Sequence, residues 1–399
     1  MKVQFNFFLS MLLACSFIVV QAQTKSIKLD KFFTKKMKHS GRIGMQVGYV
    51  AYGELEWVGS YGIKEYKKPD RINDTTLFMV ASISKPMTAL AMMKLYDEGK
   101  VSLDEGINTY LPFKIVNPHV PDKKITVRML LAHVSSIRDN WEKLEIGYTI
   151  DQGGDATMSL EDFLKSYLLE NGEYYDAEKN FYKHTPTSLN RYTNVGYGLI
   201  GYLVERISGM PFDEYMRQEV FKPLHMGNTY WIFSKIAHDN IALPHNMPYK
   251  ETDFKGTQVL THFNYPNYPS GQLRTTVTDY AQFVKLMLNN GKIDGEEFLS
   301  EATIREFLRV QYPEADKWQA VSWSYNEFQN PLYYMLMPRY PSHTGLDPGM
   351  CSVVSFDPET GTGAIILTNS PTTTFRTEKI IYLDMVKKLM KEAKKTSGI

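Results

Sequence analysis

Strand-type patterning sits at both ends of this 399-residue chain and helical patterning in its middle. That distribution restricts the fold strongly, because strands far apart in sequence must meet in one sheet to bury their apolar faces. Met45–Tyr52 and Leu55–Gly62 read as a hairpin turning at Gly53, and Cys351–Phe356 and Ala364–Thr368 as a second about Asp357–Gly361. Residues 27–40 carry Leu29, Phe32, Phe33 and Met37 at helical spacing. A helix from Ser82 to about Glu98 turns Leu90, Met93 and Leu95 inward and stops at Gly99. Further helices cover Ala281–Leu288 and Glu378–Lys395. Residues from about 105 to 265 read as helices and long loops, with an irregular excursion over 137–185 where apolar clusters are few. The expectation is an α/β chain of the α+β type: an antiparallel sheet flanked by helices, built from both chain ends, with an all-α lobe inserted.

Composition narrows the function. A net charge of +1 gives no electrostatic basis for binding nucleic acid. The nine histidines show no HExxH spacing, and no C-x-x-C pair is present, so no metal site and no cofactor are expected. The first 22 residues pattern as an export leader: Lys2, an apolar run from Phe5 to Val20, and a small-residue cleavage site at Ala22. A periplasmic or secreted location follows. Leu12-Leu13-Ala14-Cys15 also resembles a lipoprotein box, so a membrane enters only if Cys15 is lipidated.

The chemistry is concentrated in three short segments. Ser82-Ile83-Ser84-Lys85 stands where an apolar strand-like run meets a helix. A helix turns once in about 3.6 residues, so hydroxyl and amine three apart share a face. A serine hydroxyl needs an adjacent base to become a nucleophile, and a lysine serves only if its surroundings lower its pKa. Ser84 is the competing hydroxyl, but its spacing takes it off the face of Lys85. Downstream come Tyr192-Thr193-Asn194 entering a helix and His343-Thr344-Gly345 entering a strand.

In this order, S-x-x-K, Y-x-N and H-T-G resemble the signature of the serine β-lactamases and penicillin-binding enzymes, in the class C-like branch with DD-peptidases, D-aminopeptidases and carboxylesterases. Leu130–Ile137, Gly201–Phe212, Pro223–Thr229 and Pro269–Asp279 resemble further family segments, so the likeness runs through nearly all of residues 23–399. It implies an α/β lobe of about 25–105 and 270–399, a helical lobe of about 106–269, and a site in the cleft between them. It also implies Ser82 as nucleophile, Lys85 as base, and Tyr192 sharing acid/base work as a phenolate beside a positive Lys85. Asn194 would orient Lys85 and bind substrate, and the N–H groups of Ser82 and Leu346 would form an oxyanion hole. Gly345 would let substrate lie close to the strand. His343 stands where β-lactamases carry the lysine of K-T-G, followed by Thr344, and a histidine, mostly neutral near pH 7, holds a carboxylate less firmly than lysine. Ser136 and Ser270, where the family favours glycine, read as structural variation.

The implied activity is an exported serine hydrolase acting through an acyl-enzyme on a small molecule, short peptide or ester, with D-amino-acid peptides first. The alternatives are a carboxylesterase or lactonase, a weak β-lactamase, and a catalytically silent binding protein on the same scaffold. The aromatic stretch 312–340 reads either as a substrate wall or as packing.

Overall fold

The computed structural model describes residues 27–40, 42–246, 256–328, 338–371 and 375–399, with the side chains of 375–381 excepted. The leader and Cys15 lie outside the described residues, as do Tyr333 and Tyr334 of the aromatic stretch.

Five strands form the main sheet: β1 (Gly44–Ala51), β2 (Glu54–Gly62), β3 (Ser342–Asp347), β4 (Met350–Asp357) and β5 (Thr362–Thr368). Their spatial order is β2-β1-β5-β4-β3, with every pairing antiparallel. The two ends of the chain meet between β1 and β5, where Met45 lies opposite Thr368 and Val50 opposite Gly363. Both predicted hairpins are present.

Five helices carry the rest of the argument: α1 (27–39), α2 (Ser84–Asp97), α3 (Asn194–Ser208), α4 (Val277–Leu288) and α5 (Phe375–Thr396). Successive strand residues face opposite ways. Met45, Val47 and Tyr49 therefore pack with Leu29, Phe33, Val386 and Leu389 of the terminal helices. Val50, Val354, Ile365 and Leu367 join the larger core with Val277 and Val284 of α4. Because both faces are covered, β1, β4 and β5 are buried along their whole length.

Helices α2 and α3 pack together beneath the cleft. The turn Tyr268–Ser270 fits tightly against α3 because two positions of that helix are glycines. A Cβ on Gly198 would lie 1.5 Å from Asn267 Oδ1, and one on Gly201 2.4 Å from Pro269 Cγ. The close fit carries the backbone of Ser270 to the floor of the cleft. A two-residue strand, Phe78–Met79, pairs with Arg274–Thr275 and delivers the chain into the 3-10 turn Ala81–Ile83, from which α2 starts.

One expectation needs correction, and one open alternative is decided at Trp323. The excursion 137–185 contains a well-formed amphipathic helix, Leu160–Leu168, capped by the Ser159 side chain on the Asp162 N–H. It buries Leu160, Phe163, Leu164, Tyr167 and Leu168 on one face, each such side chain contributing about 1.5–3 kcal/mol. In the stretch 312–340, Trp323 is a packing residue: it is fully buried against Phe283, Phe307 and Phe356.

Candidate active site

Ser82 occupies the 3-10 turn ahead of α2, and the residue before it, Ala81, holds a left-handed φ of 48°. Such a backbone is costly for a residue with a Cβ. It turns the chain sharply and leaves the Ser82 side chain at the cleft surface. Ser84 points the other way, donating to Ala81 O at 2.6 Å and accepting from the Leu273 N–H, so its hydroxyl is committed to structure.

Lys85 is completely buried. Its Nζ lies 3.2 Å from Ser82 Oγ, 2.7 Å from Asn194 Oδ1 and 2.6 Å from the Ser270 carbonyl. Loss of water lowers its pKa to about 7, against the opposing pull of the Asp139 and Asp347 carboxylates. Ser270 is therefore more than loop variation, because its carbonyl fixes the amine. The three partners leave Lys85 aimed at Ser82.

Asp139 explains the orientation of Asn194. Its carboxylate accepts from the Asn194 and Val195 N–H groups, the Thr193 hydroxyl and Asn194 Nδ2, at 2.8–3.1 Å. It sits at the N-terminus of α3, where exposed N–H groups and the helix dipole favour an anion. With Nδ2 held by Asp139, Asn194 presents Oδ1 to Lys85. Sequence reading missed Asp139; an aspartate two residues beyond Ile137 carries no local signature of a partner 55 residues away.

The segment Leu130–Ile137 holds the residues leading into α3 in place. His133 O accepts from the Arg191 N–H at 2.7 Å, and its Nδ1 accepts from the Thr193 N–H at 3.2 Å. The ring lies 4.5 Å from that of Tyr192. Tyr192 leans over the amine, its ring centroid 4.8 Å from Lys85 Nζ, with 44% of its surface open to the cleft. The protein around it still desolvates the phenol and pushes it well above its ordinary pKa, and a hydrogen bond with Ser82 only partly opposes this. Desolvation thus favours a neutral amine and a protonated phenol in the resting site, where the sequence suggests a phenolate beside a charged lysine.

Strand β3 forms the opposite wall. A Cβ on Gly345 would lie 2.4 Å from Val80 O, 2.4 Å from Ser352 Oγ and 2.9 Å from Ser82 N. The missing side chain lets the strand dock on the turn that bears Ser82. Leu346, the next residue, is 37% exposed and lines the cleft. His343 is buried, with Nδ1 2.7 Å from Thr344 O, and the Thr344 hydroxyl donates to Glu327. Ser82, Tyr192, Asn194, His343, Thr344 and Leu346 all line one cavity of about 520 Å³, with Lys85 and Gly345 directly behind it.

One more carboxylate in this cavity escaped sequence reading. Asp347 follows Leu346 and lies 3.5 Å from the hydroxyls of Tyr148 and Tyr265 and 3.4 Å from Gln272 Nε2. Desolvation raises its pKa to about 7, partly offset by Lys85.

Comparison with known proteins agrees with this architecture. The model of the Beta-lactamase family matches residues 29–386. Protein flp of Staphylococcus aureus (strain N315) is 22% identical over 348 residues, covering 86% of this chain and 62% of the relative. The chain thus spans about three fifths of the length of that curated relative. Among solved structures, the D-alanine carboxypeptidase AmpC from Burkholderia cenocepacia superposes with a TM-score of 0.67 at 19% identity, covering 93% of this chain and 99% of the other. EstCE1, a hydrolase with promiscuous acyltransferase activity, gives 0.69 at 17% identity, covering 91% and 98%. At these identities the likeness establishes the fold.

Proposed function

The chain belongs to the beta-lactamase family, whose members are generally serine hydrolases, and we propose that it is an exported serine hydrolase that cleaves amides or esters of D-amino-acid peptides through an acyl-enzyme on Ser82. The observation that carries this reading is the dehydrated Lys85 amine 3.2 Å from Ser82 Oγ, with a pKa near 7. At that pKa the amine is free to accept a proton at neutral pH.

The proposed steps use that geometry. Neutral Lys85 takes the Ser82 proton as Oγ attacks the substrate carbonyl, and the backbone N–H groups of Ser82 and Leu346 receive the developing oxyanion. Tyr192, still a phenol, donates its proton to the leaving amine or alcohol and regains one from Lys85. Water then attacks the acyl-enzyme, giving up a proton to the Lys85–Tyr192 pair while Ser82 recovers its own. Asn194 keeps Lys85 in place throughout. The export leader over residues 1–22 belongs to this proposal, as does a soluble small-molecule or short-peptide substrate.

The test is hydrolysis of D-alanyl p-nitroanilide, p-nitrophenyl butyrate and a chromogenic β-lactam by wild type and Ser82→Ala. Turnover of at least one substrate by wild type, lost in the variant, supports the proposal. Equal turnover by both proteins, or none by folded wild type, refutes it and leaves a binding scaffold.

A further inference from the structure

Charge is divided unevenly over this molecule. The whole chain carries +1, yet residues 27–40 and 382–396, which hold α1 and most of α5, contain ten lysines and three acidic residues. These two stretches therefore carry +7, and the remainder of the chain −6. An asymmetry of this kind acts on partners, not on the fold.

Helix geometry sorts the lysines onto one surface. Leu29 and Phe33 turn α1 toward the sheet, where they meet Val386 and Leu389 of α5. Lys28, Lys31, Lys35 and Lys38, spaced three or four apart, are all exposed and line the opposite side of α1. Among the described residues none of these four is in an ion pair. Helix α5 continues the surface. Lys36 pairs with Asp384 at 2.6 Å and Lys388 Nζ lies 5.8 Å from the centre of the Phe32 ring, so the two helices lie side by side. Lys388 and Lys395 share the single carboxylate of Glu392, and Lys391 between them is exposed without one. Ile27, 49% exposed, stands at the head of the α1 stripe, an apolar side chain beside cations.

The surface is remote from the chemistry. Helices α1 and α5 cover one face of the sheet, the core with α2 and α4 covers the other, and no residue lining the cleft comes from α1 or α5. A flat anionic partner can therefore meet these lysines together and leave Ser82 accessible. Among polyanions a membrane fits best, because residues 1–22 are proposed above to bring the chain to one, and α1 is the first described helix after them.

We infer that the α1–α5 face docks the protein on an anionic phospholipid bilayer, with Lys28, Lys31, Lys35, Lys38 and Lys391 over the headgroup phosphates and the cleft turned away from them. Each lysine near such a surface strengthens partitioning by about fivefold. The contact needs no lipid on Cys15 and does not rest on the acyl-enzyme reading.

The experiment is co-sedimentation of the full chain with vesicles of phosphatidylcholine alone and of phosphatidylcholine mixed with phosphatidylglycerol. The ratio of the two partition coefficients cancels any contribution of the apolar leader. It should be at least about thirtyfold in wild type at about 0.1 M NaCl and approach one at about 0.5 M, where screening is strong. Changing Lys28, Lys31, Lys35 and Lys38 together to Gln should lower the ratio at least about tenfold with the melting temperature unchanged, and Lys391→Gln alone should lower it about fivefold. Should the fourfold variant not fold, Lys391→Gln and the salt dependence still decide. A wild-type ratio near one, or variants that partition like wild type, overturns the proposal. A DNA duplex bound as tightly as the anionic vesicles at the same salt makes the face a general polyanion site and overturns the membrane assignment. Fluorophosphonate labelling of Ser82, run in parallel, reports on the acyl-enzyme reading separately, and its failure leaves the vesicle result standing.

Discussion

The depressed pKa of Lys85 makes a prediction that can be followed quantitatively. At pH 7 an amine with a pKa of about 7 is about half neutral, whereas an ordinary lysine at about 10.4 is neutral in roughly one molecule in 2,500. Burial therefore raises the fraction of usable base by about a thousandfold, equivalent to about 4 kcal/mol. The assay is the rate of Ser82 labelling by a fluorophosphonate from about pH 5 to 9.5. The rate should climb about tenfold per pH unit below the inflection and level off above about pH 7. Asp347 titrates in the same range, so the profile is repeated in Asp347→Asn. The inflection should persist and move down, because a carboxylate that favours the charged amine has been removed. A rate still climbing through about pH 9 would refute the reasoning. Stability provides a second arm. The folded pKa lies below the unfolded one, so between about 7 and 10.5 the unfolded chain binds more protons and wild-type stability gains as pH rises. Lys85→Met lacks this term, and its stability relative to wild type should fall by about 2 kcal/mol between about pH 7 and pH 9 in urea titrations.

Other substitutions follow from contacts described above. Gly345→Ala must push β3 away from Val80 and Ser82, and its labelling rate should drop at least about a hundredfold, roughly the loss of an oxyanion donor. Asp139→Asn removes the anion that orients Asn194 and favours charged Lys85, so labelling should slow while its inflection moves to lower pH. Trp323→Ala empties a site among Phe283, Phe307 and Phe356, and should cost about 3–5 kcal/mol in denaturant unfolding while leaving KM unchanged.

Much of the fold was legible because its signals are local. Period-two patterning marks the two hairpins, and Gly53 and Gly99 mark a turn and a helix end, each with positive φ. The three motif segments were visible for the same reason, since S-x-x-K places its partners on one helical face. What sequence reading lost was long-range. Ser270 acts through its carbonyl, which no side-chain pattern reports, and Asp139 and Asp347 gain meaning only from α3 and from Tyr148 and Tyr265. For Tyr192 the sequence offered only neighbouring charge, whereas desolvation by the surrounding fold acts on the phenol more strongly. The packing of Gly345 was out of reach for a related reason: the strand was foreseen, but not which of its faces meets the Ser82 turn.

The central claim is that Ser82 is an activated nucleophile. Intact-mass analysis after fluorophosphonate treatment of wild type and Ser82→Ala tests it most directly. One adduct on wild type and none on the variant is the predicted result; an unmodified, folded wild type, or an equal adduct on Ser82→Ala, would contradict it.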